Sequence, residues 1–245
     1  MPVLYLSPST QEYNPYIIGG NEEEYMNLLA DGMEPYLYST GIRVVRNERS
    51  DTLDDIVEKS NAQRYALHLA LHSNAAPPSL AGRLRGTEVY YYPTSVLGRR
   101  AAEIIASHFR SIALNPDLVR ALPTTTLVEL NRTRAPAVLI EIAYHDNPLE
   151  ATWIADNLQV IARNLAQSVA MDFHLPFIEA QMPRPGRVSV HSGVLNIRSR
   201  PSRDAAVLTT APNGAAMQIR GEWQSWYVVE YEDVIGYASA QYVQV

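Results

Sequence analysis

The sequence predicts an α/β domain, a mostly parallel twisted sheet flanked by helices, followed by a small all-β barrel. Three observations carry this reading. Segments of strand period alternate with segments of helix period as far as residue 174, the pattern of a parallel sheet with helices on both faces. Within that region, RYALHLALHSNA at 64–75 is apolar on both faces of a strand and then stops at His72, Ser73 and Asn74. Beyond LPFIEAQMPRPG at 175–186, with its three prolines, helical periodicity gives way to short alternating runs. The expected organisation is therefore a core domain at 1–174, a linker at 175–186 and a barrel at 187–245.

Composition narrows the class. A chain of 245 residues is long enough for a core domain plus a module, and 47% hydrophobic with 19% charged residues is globular. A formal charge of −6 argues against nucleic acid as a partner, because phosphate backbones need clustered Lys and Arg. There is no cysteine, so disulfides and thiolate metal sites are excluded and any zinc would rest on His and carboxylate. No apolar run approaches the roughly 18–20 residues of a membrane span. No basic-then-apolar leader opens the chain, so the expectation is a chain without a signal peptide.

The elements follow in order. Residues 2–6 form a strand that leaves through Ser7-Pro8-Ser9 into a polar loop. Asn21 is a helix N-cap, Glu22, Glu23 and Glu24 suit the first turn, and Met26, Leu29, Met33 and Leu37 recur at helical spacing before Gly41. A strand at 42–45 and a helix capped by Asp51 precede the buried strand at 65–72. Residues 87–92 (TEVYYY) are a strand and 96–114 a helix with Ala102, Ile105 and Phe109 inward. Residues 118–129 mix loop and short strand. APAVLIEI at 135–142 is a second buried strand, and 148–173 a long helix with Ile154, Leu158, Ile161 and Leu165 on one face.

Chemistry-bearing residues gather at two strand ends. Ligands in open α/β sheets usually bind at the carboxyl ends of strands. His72 sits at one such end. Glu141, a carboxylate in an apolar strand, sits near the other and needs a partner there. His68 reads as a satisfied core histidine. His108, His174 and His191 carry no signal. Trp223, Trp226, Tyr227 and Tyr237 are expected mainly in the barrel core.

At these residues the sequence resembles a known family. LALHSNA at 69–75, GTEVYYY at 86–92 and PAVLIEIAYHDNP at 136–148, with the acidic helix start at 22–24, resemble the zinc-dependent N-acetylmuramoyl-L-alanine amidases of the Amidase_3 type. LNIRSRPS at 195–202 and WYVVEYEDVIGYASAQYV at 226–243 resemble a bacterial SH3-like domain. The resemblance implies a peptidoglycan hydrolase cleaving the amide between N-acetylmuramic acid and L-alanine, carried to the wall by the SH3-like module. It implies a Zn2+ cofactor held by two histidines and a glutamate, and an extracellular or cell-wall location, a phage-encoded lysin or a trimmed chain included.

Carried over by position, His72 matches a metal histidine, Glu141 the catalytic glutamate and Glu22 the metal glutamate. Asn74 and Arg132 are candidate substrate contacts. One departure stands out: the family's Asp-Pro-Gly-His-Gly after the first strand is Ser7-Pro8-Ser9-Thr10-Gln11 here, without histidine. His68, about 13 Å along the strand from His72 at 3.3 Å per residue, is too far to share its ion. His145, beyond Glu141, is the candidate third ligand. With the ion in place, zinc-bound water would attack the amide carbonyl while Glu141 takes its proton and returns it to the leaving amine. The lost histidine also suggests an alternative, a catalytically inactive cell-wall binding protein. A zinc peptidase of the peptide stem is a third reading.

Overall fold

The structure, a computed structural model, describes residues 2–245. The chain divides into two compact units. The first comprises Val3–Met33 and Val44–Asp172, and the second includes Glu34–Arg43 and Phe173–Val245.

The first unit is built on a six-stranded sheet. Its strands are β1 (Val3–Pro8), β2 (Arg43–Arg46), β3 (Leu67–Asn74), β4 (Thr87–Tyr91), β5 (Val119–Pro123) and β6 (Ala137–Tyr144). They lie in the order β2-β1-β3-β6-β4-β5. β1, β3 and β6 are mutually parallel, as is β4 with β5, but β4 runs antiparallel to β6. The sheet is thus mostly parallel, with one reversal, and that reversal matters for the site. It brings the start of β4 to the carboxyl end of β6, so Glu88 faces Glu141 across one pairing and Glu141 faces His72 across the next. Because alternate residues share a sheet face, these three side chains form one row.

Helices α1 (Glu22–Ser39), α2 (Leu53–Asn61), α3 (Val96–Phe109), α4 (Val128–Asn131) and α5 (Pro148–Asp172) complete the elements. Asn21 Oδ1 accepts from the Glu24 amide at 2.9 Å, the expected cap of α1. The cap of α2 is Thr52 rather than Asp51: Thr52 and Asp55 form a reciprocal capping box. Met26, Leu29 and Met33 are fully buried, as are Ala102 and Phe109 on α3 and Ile154, Ile161 and Leu165 on α5. Leu158 is only half-buried, because α5 kinks at Asn157, whose φ of −119° and ψ of 15° leave the helical region.

The second unit holds the antiparallel strands β7 (Arg184–Val188), β8 (Val194–Arg198), β9 (Val207–Pro212), β10 (Ala216–Trp223), β11 (Trp226–Tyr231), β12 (Val234–Ser239) and β13 (Val243–Gln244). Their order is β13-β7-β10-β11-β12-β8-β9. Two expectations change here. The last residues of the expected linker, 184–186, belong to β7 and pair with β10. Residues 34–43, expected in the first domain, belong to this unit. There the Tyr237 hydroxyl donates to Thr40 O at 2.6 Å, Arg220 lies over the Tyr38 ring, and Thr40 Oγ1 accepts from the Ile178 amide at 3.1 Å.

The barrel core is aliphatic, centred on Leu195, Ile197, Ile219, Val229 and Ala238. Trp223, Trp226 and Tyr227 are only partly buried at its edge, and Tyr237 alone of the four expected aromatics is fully buried.

Candidate active site

A chain of buried polar side chains runs along β3 to its carboxyl end, beside the exit of β1. It starts at Ser60, whose hydroxyl meets His68 Nδ1 at 2.8 Å. His68 Nε2 faces Glu129 Oε2 at 2.8 Å, and the same oxygen accepts from the Ser7 hydroxyl at 2.7 Å. The other Glu129 oxygen faces His72 Nε2 at 3.4 Å. His72 Nδ1 in turn lies 2.8 Å from Glu22 Oε1, and Asn14 Nδ2 donates to Glu22 Oε2 at 2.7 Å. Five elements supply the links: β1, α1, α2, β3 and α4. Ser7, Glu22, His68, His72 and Glu129 are all buried.

Local structure explains each placement. His68 and His72 lie four apart on β3 and therefore on one face, the face that α4 covers. Leu130, the neighbour of Glu129, packs with Ala70, Ala137 and Leu139, and this anchors α4 over the strand. Glu129 is then held between the two histidines. Although their positions on the strand are well separated, one carboxylate bridges them. Glu22 occupies the first turn of α1, where the helix dipole favours a negative charge.

The electrostatics follow from burial and partners. For Glu129, burial alone would favour the neutral acid, but the bonds from His68 and His72 hold its carboxyl far below the usual range. Burial also opposes the charge on Glu22, and the bonds from His72 and Asn14 overcome it. His72 is pushed the other way: burial would discharge it, yet carboxylates at both ring nitrogens raise it well above an ordinary histidine. Glu141 differs from its neighbours. Burial lifts it to about 7, opposed by the nearby charge of His72 and reinforced by Glu22 and Glu88. Its Oε2 is buried and has no hydrogen-bond partner.

Beside the cluster lies a cavity of about 340 Å³ lined by Ser9, Thr10, Gln11, Tyr13, His72 and Glu129, with the start of α2 opposite. Gln11 Nε2 stands 3.4 Å from His72 Nδ1. On the Glu141 side, Asn74 Nδ2 donates to Glu88 Oε2 at 3.1 Å and the Tyr90 hydroxyl donates to the same oxygen at 2.7 Å.

The structure thus brings together Glu22 and His72, sets Glu141 next to His72 in the sheet register, and places Asn74 at that rim through Glu88. Two expected residues do not join them. His145 Nδ1 is engaged by Ser73, at 2.9 Å from its carbonyl and 3.0 Å from its hydroxyl, while the ring stacks on Tyr16. That double anchoring replaces the expected metal role. Arg132 is exposed and pairs with Asp54 at 2.7 Å, away from this cluster of bonds.

Glu129 is the residue that sequence reasoning missed. Its signal was the one used for Glu141, a carboxylate among apolar neighbours (TLVELN).

Comparison with known proteins places the chain. A family model described as N-acetylmuramoyl-L-alanine amidase (Amidase_3) matches residues 12–171, well over half of the sequence. The chain belongs to the Amidase_3 family. Its enzyme class is accordingly N-acetylmuramoyl-L-alanine amidase, a hydrolase acting on peptidoglycan. A bacterial SH3 domain model matches residues 193–244. No curated protein matches the chain at a significant level.

Among solved structures, the N-acetylmuramoyl-L-alanine amidase from Clostridium difficile 630 superimposes with a TM-score of 0.63 at 17% identity, covering 71% of this chain and 97% of that one. The catalytic domain of CwlV, an amidase from Bacillus (Paenibacillus) polymyxa var. colistinus, gives 0.61 at 21%, covering 72% and 100%. The amidase AmiC2 of Nostoc punctiforme gives 0.61 at 18%, covering 71% and 97%. These likenesses show a shared fold.

The family is generally zinc-dependent. Among the described residues no three His, Asp or Glu side chains converge as a metal-binding group. Glu22 and His72 remain from the implied set. The third position is filled by neither Thr10 nor His145, and the residues present do not fit a three-ligand zinc centre.

Proposed function

We propose that the Amidase_3 unit acts at the amide between N-acetylmuramic acid and L-alanine in peptidoglycan, with Glu141 as its proton-handling group, and that the SH3-like module holds it to the wall. One observation carries the role of Glu141: a buried carboxylate oxygen without a partner, in register with His72 at the strand end. With a pKa of about 7, this group is poised to accept and return a proton at neutral pH. As water adds to the amide carbonyl carbon, its proton passes to Glu141. When the C–N bond breaks, that proton goes to the departing L-alanine nitrogen. Glu88, fixed by Asn74 and Tyr90, keeps negative charge beside Glu141 and thereby helps it to hold its proton. Action at the wall makes the protein a secreted or phage-type enzyme.

A second reading, binding to the wall without cleavage, is favoured by one observation: the implied metal set lacks its third ligand. Both readings meet in one experiment. Purified chain is incubated with sacculi, and released muropeptides are labelled at new amino groups. New L-alanine amino termini that disappear with Glu141→Gln support the amidase reading. Co-sedimentation with sacculi and no new termini supports binding alone. Amino termini of other stem residues would mean peptidase action and would overturn both.

A further inference from the structure

The two carboxylates that meet His72 lie on opposite edges of its ring. Glu22 faces Nδ1 at 2.8 Å and Glu129 faces Nε2 at 3.4 Å. A zinc ion binds imidazole through one nitrogen, along that nitrogen's lone pair, at about 2.0–2.1 Å, with its other ligands at similar range. An ion on Nδ1 can gather Glu22 but not Glu129. An ion on Nε2 can gather Glu129 but not Glu22. Neither edge offers a third donor. Gln11 Oε1 accepts from Asn14 at 2.8 Å, and His145 is anchored on Ser73.

Glu129 is also not free to move. Its Oε2 accepts from both Ser7 and His68, and both of those partners are buried. Pulling the carboxylate away would leave two buried donors unpaired, which is costly away from water. The cluster is satisfied as it stands: every oxygen of Glu22 and Glu129 has a donor, and each ring nitrogen of His68 and His72 has a partner. A divalent ion would have to displace these bonds rather than fill an open position.

We propose that Glu129 has closed the family's metal centre in this chain: His72 bridges Glu22 and Glu129, and the site takes no zinc. Thr10 stands at the position of the histidine in the family pattern and lines the same cavity as His72 and Glu129. Opening the centre should therefore require two changes, an imidazole at that position and removal of the Glu129 charge.

The test is zinc content, which is read independently of turnover. The full chain is incubated with excess zinc sulfate, dialysed and measured by elemental analysis, with calorimetric zinc titration alongside. The wild-type protein is expected to hold no zinc that depends on His72, so its zinc content should equal that of His72→Ala. Thr10→His alone should behave like the wild type. Thr10→His combined with Glu129→Gln should gain about one zinc per chain, lost again on adding His72→Ala. Far-UV circular dichroism checks that each variant is folded, and a destabilised double variant is replaced by Thr10→His with Glu129→Met. One zinc per wild-type chain, abolished by His72→Ala, would overturn the proposal. Folded double variants of both kinds without zinc would overturn the assignment to Glu129.

Discussion

Removing Glu129 should unfold the α/β unit far more readily than an ordinary surface change. Glu129→Ala strips a buried carboxylate from Ser7 and His68, which are 1% and 0% exposed, and from His72 at 8%. Breaking one member of a buried charge network costs about 3–5 kcal/mol, because the partners are left unpaired away from water. At about 2–4 °C per kcal/mol for a unit of this size, the transition should fall by about 6–20 °C. The assay is thermal and urea unfolding followed at the far-UV helical signal, which reports the α/β unit because the barrel has no α-helix among its strands. A double-mutant cycle sharpens it. His68→Leu with Glu129→Leu should cost about 1–3 kcal/mol less than the two single changes added together, since the double removes both ends of one bond. A loss under about 1 kcal/mol for Glu129→Ala, or strict additivity in the cycle, would refute the view that this carboxylate ties the site together.

Three further outcomes are expected. Glu141 has a folded pKa of about 7 against a usual 4.5, so the folded state holds its proton more tightly and stability falls as pH rises between those values. At about 1.4 kcal/mol per unit, Glu141→Gln should gain up to about 3 kcal/mol on the wild type between pH 4.5 and 7.5, read by urea unfolding at both pH values; a pH-independent difference would contradict it. Tyr237→Phe should destabilise the barrel unit by about 1–3 kcal/mol, because Thr40 O loses its buried donor; near-UV circular dichroism during unfolding reads it. Gly221→Ala would set a Cβ 2.2 Å from Ser39 O, a backbone atom that cannot swing aside, so that variant should lose at least about 1–3 kcal/mol in the same assay.

Periodicity carried most of the fold into view. Met26, Leu29 and Met33 at helical spacing, and the doubly apolar strands around His68 and Glu141, are local patterns, and each became a buried element. The antiparallel entry of β4 was hidden because TEVYYY reads the same in either direction. Only pairing across the sheet sets its sense, and that sense puts Glu88 beside Glu141. The end of the first domain was obscured in the same way. Residues 34–43 continue the α1 pattern, while their partners, Tyr237, Arg220 and Ile178, lie more than a hundred positions away. The site was legible where one residue carries the chemistry, as with His72 and Glu141. It was illegible where a contact joins distant positions: Glu129 reaches Ser7 across 122 residues and His68 across 61. His145 misled because closeness to Glu141 in sequence did not decide its orientation; an anchor on Ser73 did.

Ser7, at the exit of β1, and Glu129 are coupled by a buried hydrogen bond. Ser7 stands where the family pattern has aspartate, and its hydroxyl is 2.7 Å from Glu129 Oε2. An aspartate there would set two carboxylates against each other in a buried site. At about 4 Å, and with an effective dielectric near 20, the repulsion is about 4 kcal/mol, unless one of the pair takes a proton. Ser7→Asp should therefore destabilise the α/β unit, and more strongly at pH 7.5 than at pH 5, where protonation relieves the clash. The effect of the partner change should shrink: Glu129→Ala, costly in the wild type, should cost little or nothing in the Ser7→Asp background, where it removes the repulsion. Thermal unfolding of the four proteins at both pH values decides it. If Ser7→Asp is as stable as the wild type, or if Glu129→Ala costs the same in both backgrounds, the serine and the glutamate act independently and the closed centre loses its physical basis.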